Sequence, residues 1–411
     1  MKNWAGNQTY STDVVAAPNS VEALQQVIRD ASKVKAHGSR HSFNTIADTT
    51  GTIISLENFQ QISEPNPETR TVTIGGGVRY GELAVRIQEA GWALHNLASL
   101  PHISVAGAIG TATHGSGFRN GNLSTAVVGL KFVDGRGEVH AFDEGDPDAL
   151  DARIVHLGAL GIIFELTLRI QPTFEIRQTV FENLPFQTGI EHLAFIAQLG
   201  YSVSLFTRWS SAVFDQVWVK SEVELPVPTE ILGTLPATRK LHPLAELPSE
   251  NCTDQLSEPG PWHQRLAHFK MEFTPSAGEE LQSEYFVSLE DAPLALATLS
   301  VLAPELARLV FVTEVRFIAA DSLPMSPAYQ RDVVGIHFTW KPNWAEVEPM
   351  LSVIETLLDP FNPCPHFGKL FTLPTERLKE VYPRLPEFAG LADEHDPYGK
   401  FRNDFLKNIL G

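Results

Sequence analysis

Two groups of residues in this 411-residue chain have the types and spacing that chemistry requires. The first is the stretch AHGSRHSFN, Ala36 to Asn44, in which His37 and His41 stand four residues apart around a Gly-Ser pair. Histidines at i and i+4 chelate a metal well when they share a helix face. Here Gly38 and Ser39 lie between them, the local pattern is strand-to-loop, no glutamate follows the first histidine and no third ligand is near. The spacing argues against a metal and leaves a polar surface loop or an anion-holding one. Glycine lets the backbone approach a phosphate closely and form nests of N–H groups. A second Gly/Ser/His loop, GTATHGSG from Gly110 to Gly117, points the same way jointly with the first. Neither is a standard nucleotide motif: Gly115 to Gly121 misses G-x-G-x-x-G by one position, and no G-x-x-x-x-G-K-[ST] occurs.

The second group lies toward the carboxy end. In LVFVTEVRFI, Glu314 and Arg316 are two apart and share a strand face, while Val315 and Phe317 face the other way. In VVGIHFTW, His337 and Thr339 share a face opposite Ile336, Phe338 and Trp340. If the two strands pair, four polar groups converge on one patch. A solvated outer face carrying a cross-strand Glu-Arg pair is the ordinary alternative. The His-x-Thr beside Glu-x-Arg, with His366-Phe367-Gly368-Lys369 after a proline-rich bend, weakens that alternative. Together these groups suit a small polyhydroxylated ligand, whose OH groups both donate and accept.

The elements that must position these residues follow from periodicity. Residues 18–36 predict a helix capped by Ser20, with Val21, Leu24, Ile28 and Ala31 at helical spacing, then a strand through VKA. GTIISL and TVTIGGG predict short strands, and YGELAVRIQEAG a helix with Leu83, Ile87 and Ala90 inward and Gly91 as its stop. LKFVDGRGEVHAF predicts a hairpin turning at Asp134-Gly135. After Gln171-Pro172 the texture becomes aromatic and β-branched, as in FTRWSSAVFDQVWVK. Seven prolines between Pro226 and Pro261 predict a long irregular excursion over residues 222–262, the kind of loop that serves as a lid or linker. Strands resume at EYFVSL, followed by a helix through LALATLSVLA and the two strands above.

Composition bounds the function. Apolar residues at 43% and charged residues at 19% are ordinary for a globular chain with a large core, and 411 residues predict two domains. Lys+Arg number 31 against 49 Asp+Glu, and the resulting net charge of -18 repels phosphate backbones and anionic lipid. No nucleic-acid or membrane partner is expected, and no apolar run is read as membrane-spanning. Without an apolar leader at the amino terminus, a cytoplasmic location is expected. Cys252 and Cys364 are too few for a disulfide framework or a Cys-based zinc site, and leave a single bridge open.

Taken in order, GSRHSFN, TVTIGGGVRYGEL, NLASLPHISVAGAIGTATHGSG, HLGALGII, TEVRF, GIHFTW, HFGK and DPYGKFRND resemble the FAD flavoproteins typified by vanillyl-alcohol oxidase, most of all their alditol (xylitol) oxidase branch. The likeness runs over essentially the whole chain. Arg40 departs from the family's usual G-x-G-H-S loop in the manner of that branch. The resemblance implies an α+β fold of two domains. Residues 1–171 would bind FAD, 172–371 would form a substrate-binding cap on an antiparallel sheet, and 372–411 would return to the FAD domain. It implies that His41 carries FAD covalently through the flavin's 8α-methyl group. Chemically, a neutral imidazole nitrogen is a good nucleophile for that carbon once the ring tautomerises. Around it, Ala36, His37, Gly38, Ser39, Arg40, Ser42, Ser99, Ser104, Gly107, Thr111, Ala112, Thr113, His114 and Ile162 would line the cofactor.

By the same likeness Ser99, Glu314, Arg316, Thr339 and Lys369 bind a polyol. Its terminal CH–OH gives hydride to the flavin, and O₂ is reduced to H₂O₂. Lys369 and His337 are expected at the reacting hydroxyl, with Glu314 and Arg316 placing it and its neighbour. The substrates implied are a small polyol and O₂, and a monomer is expected. Three other readings stay open: an aldonolactone oxidase or dehydrogenase, a hydrolase with a metal on His37 and His41, and a non-catalytic sugar-binding protein.

Overall fold

The computed structural model describes residues 1–244, 246–272 and 279–411. The chain opens on helix Val21–Asp30, where the Ser20 hydroxyl accepts from the Ala23 N–H at 3.2 Å and satisfies one donor of the first turn. Leu24 and Ile28 are its buried positions, and they pack with Val34, Ile54 and Phe401. The chain then runs into strand Val34–His37, which pairs in parallel with Thr52–Ser55. That strand pairs in turn with Val15–Ala16. His37 therefore ends a strand, and residues 38–44 form the loop that leaves it.

A second, antiparallel sheet takes the order Thr71–Gly75, Ile162–Arg169, Val127–Val133, Val139–Asp143. The hairpin between its last two strands is looser than an Asp-Gly turn. Asp134 Oδ1 accepts from the N–H groups of Arg136 and Glu138, and the left-handed residue is Gly137 (φ +77°) rather than Gly135. Asp134 thus closes the loop with its side chain, which two-residue turn statistics do not capture. In helix Tyr80–Glu89, Leu83 and Ile87 are buried as expected. Ala84 joins them, whereas Ala90 is the exposed C-cap before Gly91 (φ +81°).

The remainder is built on one eight-stranded antiparallel sheet. Its order is Gly260–Pro261, Glu175–Pro185, Val213–Glu222, Ser202–Thr207, Val310–Ile318, Val333–Trp340, Leu281–Ser288, Cys364–Pro365. One face buries Val203, Leu205, Val315, Phe317, Ile336 and Phe338 beneath helices Ala292–Leu299, Ala303–Leu309 and Trp344–Leu358. Against the sequence expectation, Ala292–Leu309 is long and apolar enough by composition to cross a bilayer. It folds as two short helices joined by a 3₁₀ turn, and Leu296, Leu299 and Leu306 are packed into this core. The other face of the sheet carries the polar residues and turns toward the first half of the chain.

The proline-rich excursion is packed against the sheet. Ala237 N–H bonds to Val180 O at 2.7 Å, Ser257 N–H to Gln178 O at 2.9 Å, and Gln216 Nε2 to His242 O at 2.8 Å. Ala245, within it, lies outside the described residues. At the carboxy end, Lys33 Nζ donates to Gly399 O, Val34 N–H bonds to Lys400 O, and Asn403 Nδ2 donates to Thr45 O, Ile46 O and Asp48 O. The final segment is therefore tied to the parallel sheet and to the loop after it.

Candidate active site

Register builds the polar face. Phe206, Glu314, His337 and Glu284 form one cross-strand row over four adjacent strands, with Val312, Thr339 and Gln282 in the next row. Arg316 pairs with Gly335, where an added Cβ would meet Glu284 Oε1 at 3.0 Å and the Phe286 ring at 3.1 Å, so the position opposite the guanidinium must stay small. These groups are not a solvated face: Glu314 is 4% exposed, Arg316 8%, His337 7% and Thr339 7%. They line one wall of a cavity of about 320 Å³.

Residues 38–43, Ser104, Gly107, Gly110, Thr111, Thr113, His114 and Ile162 also line this cavity. The two groups are stitched together at Asn44. Its Nδ2 donates to Phe367 O at 2.8 Å and to Lys369 O at 2.7 Å, while Phe43 N–H bonds to Gly368 O at 2.8 Å. The loop that carries His41 thus sets the place of Lys369. Lys369 Nζ in turn donates to Glu284 Oε2 at 2.6 Å, and His114 Nε2 lies 3.1 Å from the other oxygen.

Burial and partners set the charge states. Burial alone would raise Glu284, but Lys369 and His114 hold it well below the usual carboxylate range. Burial likewise opposes ionisation of Glu314, which Arg316 and His268 keep well below that range. Burial draws Lys369 below the ordinary lysine range, against the pull of Glu284. Burial and the nearby Lys369 ammonium hold His337 neutral, and neither of its ring nitrogens has a hydrogen-bond partner among the described residues.

The two histidines of the loop diverge. His37 Nε2 bonds to Ala47 O at 2.9 Å and its ring packs on Tyr10 at 4.1 Å between centroids. Among the described residues, both ring nitrogens of His41 are buried and lack a hydrogen-bond partner; its ring stacks on Trp4 at 4.9 Å, and burial pushes it down to about 4. A buried imidazole free at both nitrogens can bond to a group placed in the cavity. The loop also has room only for backbone: a Cβ on Gly38 would lie 2.0 Å from Ser104 Oγ, and one on Gly107 2.7 Å from the same atom. This donor set fits a flat, anionic cofactor held by main chain, such as FAD.

Two families' profiles match the chain, one described as an FAD binding domain over residues 12–143 and one as D-arabinono-1,4-lactone oxidase over residues 274–409. An alditol oxidase of Streptomyces sp. is 43% identical over 99% of this chain and 98% of its own length. The chain belongs to the vanillyl-alcohol oxidase-type family of FAD flavoproteins. Another member, an L-gulono-1,4-lactone dehydrogenase of Mycobacterium tuberculosis, is 30% identical over 100% of this chain and 98% of its own. Among solved structures, cholesterol oxidase from B. sterolicum superposes with a TM-score of 0.76 at 13% identity. It covers 100% of this chain and 96% of its own, a likeness of fold alone.

Of the residues expected to line the flavoprotein's site, Ala36 to Ser42, Ser99, Ser104, Gly107, Thr111, Thr113, His114, Ile162, Glu314, Arg316, His337, Thr339 and Lys369 border the one cavity. Ala112 does not; it turns through φ 52° and is buried in the core beneath. His366, singled out in sequence with Lys369, borders the cavity too, and Glu284, Gln282, His268 and Lys35 border it without having been read from sequence. Cys252 and Cys364 are free and buried. The metal reading finds no support at His37 and His41: His37 Nε2 is taken by Ala47 O, and neither histidine is in the metal-compatible group found among the described residues. Among the described residues, Asp134, His140 and His395 lie close enough to share an ion. Arg136 stands 3.5 Å from that carboxylate and Arg153 donates to His395 Nε2 at 3.2 Å, so guanidiniums already supply the positive charge.

Proposed function

We propose that the protein is an alditol oxidase: it oxidises the terminal primary hydroxyl of polyols such as xylitol and sorbitol to the aldose, with O₂ reduced to H₂O₂. The observation that carries this reading is the buried row Glu314–His337–Glu284, flanked by Arg316, Thr339 and Lys369, facing the His41 loop across one cavity. A row of alternating acceptors and donors matches a chain of hydroxyls, each of which needs both.

FAD, when bound, would supply the two-electron acceptor for the hydride of the C1–H bond, with O₂ as the terminal oxidant. The chain's residues do the rest. Main chain around Gly38, Ser39 and Gly107 holds the cofactor, and His41 is its covalent anchor, being neutral, buried and unpartnered. Ser99, Glu314, Arg316 and Thr339 bind the hydroxyls and fix which carbon is presented. His337 meets the reacting hydroxyl with a neutral ring nitrogen, which has a lone pair for the proton released as the C–H bond breaks. Lys369, anchored on Glu284, places a positive charge beside the developing negative charge.

An aldonolactone oxidase or dehydrogenase is the second reading, favoured by the profile over residues 274–409. Product analysis separates the two. Incubation with xylitol in air yields aldose and H₂O₂ in equal amounts; turnover confined to aldonolactones with a dye acceptor transfers the assignment.

A further inference from the structure

Glu314, a wall of the polyol pocket, is held from behind by two buried groups with no part in the reaction as described. His268 Nε2 lies 2.7 Å from Glu314 Oε1, and Lys220 Nζ lies 3.1 Å from His268 Nδ1. Lys220 Nζ also donates to Leu266 O at 2.6 Å and Ala267 O at 3.0 Å. Lys220 is 1% exposed and His268 5%. The donor facing Glu314 is the same whether Lys220 is charged or neutral. An ammonium on Lys220 has only N–H to offer, so Nδ1 accepts and Nε2 carries the hydrogen. A neutral Lys220 amine can still donate an N–H to Nδ1, which again leaves the ring hydrogen on Nε2. Either way the carboxylate faces an N–H.

His268 does not belong to the sheet. It sits on the segment that closes the proline-rich excursion, and the same segment donates its His268 and Phe269 N–H groups to Ser99 O, both at 3.2 Å. Arg316 Nη2 reaches both Ser99 Oγ and Glu314 Oε2. Ser99, Glu314 and Arg316 therefore share one fixed frame whose far end is Lys220 on strand Val213–Glu222.

We infer that Lys220 and His268 are positioning residues for polyol binding, locking the Glu314 carboxylate in one ionised orientation and setting Ser99 beside it. This rests on the polyol-oxidase reading. A buried pair serving only stability has no need to end on a carboxylate that lines the pocket. The titratable and charged groups around Glu314 are His268 and Lys220 on one side, Arg316 on its own strand, His337 and Glu284 along the same cross-strand row, and Lys369, which pairs with Glu284. Burial pushes His268 down to about 4, so its ring is neutral near pH 7, and burial draws Lys220 well below the ordinary lysine range.

The test uses full-length flavin-loaded protein with His268→Ala, His268→Gln and Lys220→Met, assayed on xylitol between about pH 5 and pH 8. His268→Ala raises KM by about tenfold or more with a smaller change in kcat. It also brings an acidic limb into kcat/KM, because Glu314 without its donor protonates at higher pH. Calorimetric xylitol binding weakens by the same factor. His268→Gln, which retains a side-chain N–H, recovers most of the loss. Lys220→Met keeps the buried stem, shows the same acidic limb, and carries the test alone if His268→Ala does not fold. A folded His268→Ala or Lys220→Met protein with wild-type KM and pH profile overturns the inference. A wild-type protein that does not oxidise xylitol overturns the function itself.

Discussion

At the scale of single residues, burial decides what each imidazole can do. His37 and His41 are four apart, and burial pushes both down to about 4, so both are neutral near pH 7. Only His41 keeps both ring nitrogens free, because a backbone carbonyl already bonds His37 Nε2. His41→Ala should yield protein whose yellow colour stays in the supernatant on acid precipitation, while wild type and His37→Ala keep it in the pellet; colour leaving the wild-type pellet contradicts a covalent link. The role proposed for His41 was suggested by the resemblance of GSRHSFN to a family motif. Glu284 was not, although it pairs with the buried Lys369. Gln282 and Glu284 flank Ser283 between Leu281 and Tyr285, and that strand reads as an ordinary half-buried one until its register with His337 and Thr339 is known. Register is set by tertiary pairing, which one strand's composition does not encode.

Between elements, the decisive contact joins a loop to a loop. Asn44 Nδ2 donates to Phe367 O and Lys369 O while its Oδ1 accepts from Ile46 N–H at 3.0 Å. Asn44→Leu fills similar space but leaves buried carbonyls and an N–H without partners. It should lower unfolding free energy by about 2–3 kcal/mol, measured by denaturant titration, and lower kcat by displacing Lys369. Unchanged kcat in a destabilised protein shows that the loop contact does not place the lysine. Period-two alternation in LVFVTEVRFI and VVGIHFTW predicted shared faces, and the antiparallel pairing of the strands brings those faces together. The proline-rich excursion is irregular as expected, and its packing could not be read from sequence because it rests on contacts with distant strands rather than on local periodicity. The same cause hid His268.

Across the whole molecule, function lies where the polar face of the eight-stranded sheet meets the loops leaving the parallel sheet. Gly117 marks this junction. Its N–H bonds to Phe317 O at 2.8 Å and its φ of +151° admits glycine best, while an added Cβ would meet Tyr201 O at 2.5 Å. The net charge of -18 excludes little about the reaction, yet the cavity gathers Arg316, Lys369 and His114 against Glu284 and Glu314. The charge that a bound molecule would meet is therefore set by these local pairs and not by the overall balance. The central claim is that a polyol's electrons enter the flavin at this junction. Anaerobic mixing with xylitol tests it most directly. The flavin's visible absorbance should bleach, and admitting O₂ should restore it with one H₂O₂ per aldose formed. A flavin that stays oxidised with xylitol and bleaches with L-gulono-1,4-lactone would contradict the account.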